Sequence, residues 1–85
     1  MHQIHRQALQ LIQQNDWDSA HRLVQAYTDP ISCRIHGYLH RIEGDLSNAS
    51  YWYRRAGTAL PEHSAEQELL AIQGLIRNRP SSVSD

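Results

Sequence analysis

The sequence predicts an all-α fold of five helices: two antiparallel helix hairpins followed by a C-terminal capping helix. Three observations carry this. Ala49, Tyr53 and Ala56 follow a Gly44-Asp45 turn at i, i+4 and i+7, one face of a helix of about 3.6 residues per turn. The chain also repeats itself. A shift of 29 residues lays Asn15-Asp16-Trp17 over Gly44-Asp45-Leu46, Ala20 over Ala49, Val24 over Tyr53 and Ala8 over Gly37. Repetition on that scale marks stacked supersecondary units that cannot bury their apolar faces singly. Finally, no stretch shows the apolar–polar alternation of a half-buried strand.

The elements follow in order. Helix 1 covers about residues 2–14 and turns at Asn15, a residue that tolerates the left-handed conformation. Asp16 caps helix 2, about residues 17–27, on which Trp17, Ala20, Val24 and Tyr27 form a stripe, with Trp17 covering the joint to helix 1. Asp29-Pro30 stops it, because proline restrains the residue before it and cannot continue a helix. Helix 3 covers about residues 31–43. Gly44 ends it, and Asp45 caps helix 4, about residues 46–58. Gly37, seven residues before Gly44, is a small position at which two helices can approach closely, with the Tyr53 ring filling the space.

Leu60-Pro61-Glu62-His63 forms the next connection. Ser64-Ala65-Glu66-Gln67 then reads as a capping box, in which hydroxyl and amide side chains satisfy free N–H groups reciprocally. Helix 5 runs over about residues 65–78, with Ala65, Leu69, Ile72 and Ile76 on one face, and Pro80 ends it. The organisation is one domain over residues 1–80, with units of about 1–29 and 30–61, a capping helix of about 64–79 and a flexible tail at 81–85.

Gly37, Gly44, Asp45, Ala49, Tyr53, Ala56 and Pro61 are spaced as in the tetratricopeptide (TPR) repeat, and the second unit resembles that family. The run Ala49–Ala56 also looks like the related Sel1-like repeats. The first unit is a weaker match, with Asn15 in place of glycine. Leu70 and Gly74 give helix 5 the look of the first helix of an unfinished third unit. Two positions depart from the family pattern, His36 standing for an apolar Leu and His40 for Tyr. The passage from Ile35 to Asp45 further resembles a group of small bacterial proteins without assigned function. The resemblance implies a helical-repeat fold and protein–protein interaction, with no reaction attached. About three repeats are usually needed for a stable stack, so helix 5, or a second copy of the chain in a homodimer, must close it.

Composition narrows the function classes. The chain has 85 residues and a net charge of −1, which exerts no general pull on nucleic acid or anionic lipid. All eight basic residues are arginine, the side chain suited to bidentate pairing with carboxylates. The single Cys33 excludes an internal disulfide, and no apolar run approaches the roughly 20 residues of a membrane span. A cytoplasmic location is expected.

A partner-binding groove is expected, and a metal site is the alternative weighed beside it. In TPR stacks the first helices of successive units line a groove, so the resemblance implies a partner-binding surface of His5, Leu9, Ile12 and Gln13 with Arg34, Tyr38, Arg41 and Ile42. Such a groove suits an acidic peptide. The competing reading pairs Arg34 and Arg41 with Glu43, Asp45 or Glu66. The second site is a metal site: His36, His40 and Glu43 fall at i, i+4 and i+7 on helix 3, a pattern able to bind Zn²⁺ or another transition metal. His21 and His63 join it only if folding brings them near. The stronger expectation is that these histidines simply pack, each donating one N–H to a backbone carbonyl or an acid. His2 and His5 form a further one-turn pair on a solvated face.

Tyr51, Trp52, Arg54 and Arg55 mix rings and cations as RNA-binding surfaces do, yet Trp52 is expected to pack on the following helix and the two arginines to be solvated. Cys33 stands three residues from His36 but at a large apolar position, which reads as an inert buried thiol. No arrangement of nucleophile, base and acid emerges, and an enzyme is not expected.

Overall fold

Five α-helices make up the computed structural model, which describes residues 3–77: α1 Gln3–Gln13, α2 Trp17–Val24, α3 Pro30–Ile42, α4 Leu46–Arg55 and α5 Ala65–Arg77. No strand occurs among the described residues. His2, Pro80 and the 81–85 tail lie outside them. α1 packs on α2, α3 packs on α4, and α5 lies against α3 with a smaller contact to α1. This pairing fits the expected hairpins and cap.

The internal repetition is physical as well as sequential. Asn15 and Gly44 both adopt positive φ, 63° and 85°. In the first turn the Asn15 N–H donates to the Ile12 carbonyl at 2.9 Å and the Asp16 N–H to the Leu11 carbonyl at 2.8 Å. In the second, Gly44 donates to Arg41 at 3.0 Å and Asp45 to His40 at 2.9 Å. This is the double closure by which a left-handed residue satisfies the last carbonyls of a helix. Asp16 and Asp45 then cap the following helices, each accepting from the backbone N–H three residues on, Ser19 and Asn48, at 3.3 Å. The predicted capping box of α5 is present: Gln67 N–H donates to Ser64 Oγ at 3.1 Å, and Ser64 N–H to Gln67 Oε1 at 3.2 Å.

Two helices end earlier than the sequence predicts. α2 stops at Val24, and Tyr27, expected on its buried stripe, is 40% exposed. The reason lies ahead of it. Asp29 is the N-cap of α3, extended at ψ 157°, and accepts from the backbone N–H and hydroxyl of Ser32. Pro30 therefore opens α3 rather than merely closing α2, and the intervening residues are used in crossing over. α4 stops at Arg55 because Gly57 adopts φ 89° and the Thr58 N–H closes on the Tyr53 carbonyl at 3.0 Å.

The core is built from the predicted stripes: Ala8, Ile12, Ala20, Val24, Ile35, Leu39, Ala49, Tyr53, Ile72 and Ile76 are buried. A methyl at Gly37 would lie 2.8 Å from Cδ2 of Tyr53, so the α3–α4 approach depends on the missing side chain. Gly74, the corresponding small residue of α5, faces open space, as befits a helix with no successor packed on it among the described residues. No described helix is long and apolar enough to cross a membrane.

Candidate functional site

α2, α3 and α4 each bring a ring to one place. On α3, His36 and His40 stand one turn apart and stack, their centroids 5.0 Å apart at 18°. The Trp52 ring of α4 lies on the His36 ring at 3.9 Å and 13°. From α2, His21 approaches both imidazoles edge-on, at 4.7 Å from His36 and 4.9 Å from His40. Its placement follows from Ala20, fully buried in the seam, which carries the next residue to the edge of α3.

The nitrogens converge. His21 Nε2 and His36 Nε2 are 3.0 Å apart, a hydrogen bond in which one ring donates and the other accepts. One ligand nitrogen from each of His21, His36 and His40 lies within 4.8 Å of the other two. Tetrahedral Zn²⁺ with Zn–N bonds of about 2.0–2.1 Å would place its ligand nitrogens about 3.3 Å apart. The His21–His36 pair already meets that spacing to a few tenths of an ångström, and His40 needs only a modest side-chain adjustment.

Burial, and the charges that His21, His40 and Arg55 can bear, push the His36 imidazole down to about 4. It is therefore neutral near pH 7, the state in which an imidazole can ligate a metal. Its Nδ1 is buried and has no hydrogen-bond partner.

Glu43 is placed differently from the expectation that it completes the metal's ligands alongside His36 and His40. Its Oε1 lies 3.4 Å from His40 Nδ1 and its Oε2 lies 3.9 Å from His21 Nδ1. It stands behind two of the imidazoles, on the edge away from the His21 Nε2–His36 Nε2 contact. His21, named beforehand only as a conditional ligand, replaces it at the centre. His63 goes elsewhere, to Glu68.

The expected groove residues separate. α5 lies on the α3 face that was to be its floor. Arg34 forms a bidentate pair with the fully buried Glu68, at 2.8 and 2.9 Å. His63 Nε2 sits 2.8 Å from the same carboxylate, and Arg41 donates to the His63 carbonyl. Burial alone would raise Glu68, but Arg34 and His63 outweigh it and hold the carboxyl below its ordinary value. Burial, and after it the charge of nearby Glu68, push the Tyr53 hydroxyl up, though no hydrogen bond of normal geometry joins the two groups. His5 is buried and pairs with Asp29 at 2.7 Å, tying α1 to the start of α3. Ile12 and Tyr38 are interior, and Ile42 is exposed. Leu9 and Gln13 border a cleft of about 420 Å³ completed by Arg6, Gln73, Ile76 and Arg77.

Trp52 stacks back on α3 and not on the following helix, because His36 offers it a flat partner across the seam held by Gly37 and Tyr53. Arg55 lies 4.9 Å from the Trp52 ring centroid and 5.8 Å from that of Tyr51, so it is committed to these rings. Cys33 is fully buried, donates to the Thr28 carbonyl at 3.5 Å, and is pushed up by burial, which makes it unreactive.

Sequence reasoning missed Glu68 as an anchor and Gly57 as a stop. Both carried a signal. Glu68 falls within the α5 stripe, three residues after Ala65 and four before Ile72, where a carboxylate requires a buried partner. No family model, curated protein or solved structure matches this chain.

Proposed function

We propose that this is a small, non-enzymatic, TPR-like helical protein that binds a late first-row divalent metal ion, with Zn²⁺ as the reference ion, through His21, His36 and His40. One observation carries the reading: three imidazoles from two helices converge with ligand nitrogens mutually within 4.8 Å. Imidazole sets favour Zn²⁺, Cu²⁺ and Ni²⁺ over the oxygen-seeking Mg²⁺ and Ca²⁺. The stack of Trp52 on His36 fixes one ligand ring, and the packing of α2 and of α4 on α3 holds the helices that carry the ligands. Calorimetric titration of untagged protein with Zn²⁺ tests it. One ion per chain at micromolar concentration or tighter is expected, with binding lost in His21→Gln and in His40→Gln. Absence of a stoichiometric ion, or binding unchanged in both variants, would refute it.

A second reading, protein–peptide binding, is favoured by the cleft between α1 and α5. Leu9 and Ile76 give it an apolar floor, Gln13 and Gln73 offer amides, and Arg6 and Arg77 flank it without an ion pair among the described residues. That lining suits an acidic segment with an apolar residue between its carboxylates. The partner surface would then include Leu9 but replace Arg34 and Arg41 with Arg6 and Arg77. Selection from an acidic peptide library by the parent, compared with Arg6→Ala/Arg77→Ala, tests this: loss of the selected peptides in the variant is expected.

A further inference from the structure

We infer that an ion held by His21, His36 and His40 keeps one coordination position open for a small exogenous anion, because Glu43 lies at the Nδ1 edge of two of the ligand rings instead of closing the site. The inference rests on the metal-binding reading above and concerns the fourth ligand only.

A histidine offers an ion one ring nitrogen and presents the other to a hydrogen-bond partner; a carboxylate at that second nitrogen fixes the tautomer and the ring orientation. Glu43 is the carboxylate beside two such nitrogens, although neither contact is a hydrogen bond and His40 Nδ1 has no hydrogen-bond partner. Its two oxygens face His40 Nδ1 at 3.4 Å and His21 Nδ1 at 3.9 Å. A proton on His21 Nδ1, the nitrogen nearer the carboxylate, would leave Nε2 for the ion, and Nε2 is the atom that meets His36 Nε2 at 3.0 Å. Bringing Glu43 into the coordination sphere would take it away from both rings at once. Among the described residues the cluster offers no other His, Cys, Asp or Glu as a ligand. Three nitrogens leave a tetrahedral ion one position short, and metal sites with three protein ligands hold water or a small ligand there.

Charge and access select an anion. A divalent ion with three neutral imidazoles carries its full positive charge, and Glu43 offsets half of it from outside. Arg55, over the Trp52 ring that stacks on His36, adds a further positive charge nearby. The His21 side chain, whose Nε2 meets His36, is 26% exposed, so the cluster is not sealed from solvent. The ligand class is a small monodentate anion such as hydroxide, azide or a short carboxylate.

Cobalt substitution reads this directly. Untagged protein is titrated with Co²⁺, its visible absorption is recorded, and sodium azide is then added. The expected result is one Co²⁺ per chain with the intense bands of a four-coordinate ion, shifted by azide at millimolar concentration. In E43Q, Co²⁺ affinity should fall by about 10–100-fold while the bands remain azide-sensitive, as expected for a residue that orients ligands. Bands unmoved by azide in the parent would overturn the inference whatever E43Q does. If azide sensitivity then appeared only in E43Q, Glu43 would be identified as the fourth ligand, and metal binding would still stand. Failure of both Co²⁺ and Zn²⁺ to bind would overturn the metal reading together with this one.

Discussion

Gly37 and Tyr53 are fitted to each other: a Cβ on Gly37 would sit 2.8 Å from Cδ2 and 3.0 Å from Cε2 of the tyrosine ring, and 3.1 Å from the Ala49 carbonyl oxygen. The ring is fully buried and cannot move without opening the α3–α4 seam. Gly37→Ala should therefore destabilise the protein by about 1–3 kcal/mol through overpacking, even though alanine favours a helix by about 1 kcal/mol over glycine. Gly74→Ala supplies the control. It lies inside α5 with nothing within 4 Å of an added Cβ, so the helical gain of about 0.5–1 kcal/mol should appear undiminished. Urea unfolding of both variants would show opposite signs. A neutral or stabilised Gly37→Ala protein would mean that α3 and α4 do not approach this closely.

The two left-handed turn residues make a second paired test. Asn15 and Gly44 hold equivalent positions with φ of 63° and 85°, and nothing lies within 4 Å of a Cβ at Gly44. Backbone strain alone then decides the outcome. Gly44→Ala should cost about 1 kcal/mol, the penalty of a Cβ in the left-handed region. Asn15→Gly should be neutral or stabilising by a few tenths of a kcal/mol, since asparagine tolerates this conformation and glycine relieves it while losing more chain entropy. Equal thermal midpoints for Gly44→Ala and the parent would contradict the equivalence of the turns.

These features were legible because they are local. A Gly-Asp or Asn-Asp pair after an amphipathic stretch specifies a stop and a cap within a few residues, and Asp16, Asp45 and the Ser64/Gln67 box all act as the sequence predicts. The helix-to-helix pairings that make the site were less so. That His36 and His40 share a face follows from their spacing, but that His21 joins them depends on how α2 lies across α3, which no spacing encodes. Glu43 shares their face too, yet sits over the Nδ1 edges of the rings, a side-chain detail beyond helical periodicity. The expected groove was lost to α5 for the same reason. Arg34 reads as a surface cation until Glu68, 34 positions away, supplies a buried partner.

The Arg34–Glu68 pair is the polar anchor of α5. Glu68 is fully buried, so deleting Arg34 strands its charge. Arg34→Ala should cost about 3–5 kcal/mol, as breaking one half of a buried pair does, while Arg34→Leu/Glu68→Leu should recover most of that loss because no charge is left unpaired. A double-mutant cycle by denaturant unfolding measures the coupling. If the single and double variants are equally destabilised, the pair does not fasten α5 to α3.

His36 makes the stability of the metal-free protein pH-dependent. Its imidazole is 4% exposed, and burial, with His21 on α2, His40 on α3 and Arg55 on α4 facing it, pushes it from 6.5 down to about 4. Between those values the unfolded chain holds a proton that the folded protein refuses. Stability must then rise with pH across the window and fall as pH drops from 6.5 toward 4. The full excursion is about 3 kcal/mol by the usual conversion of about 1.4 kcal/mol per pH unit. Glu68 and Asp29, both held below their ordinary values, act in a separate window. Their stabilisation is present above the carboxylate range and disappears only in stronger acid, as pH falls through their folded values. Urea unfolding at pH 7.5, 6.0 and 5.0 should therefore show the parent losing stability while His36→Gln, which cannot titrate, loses much less. Parallel losses in the two proteins would place the pH dependence elsewhere. Repeating the series with Zn²⁺ should steepen the parent's dependence, because protons and the ion compete for the same nitrogens.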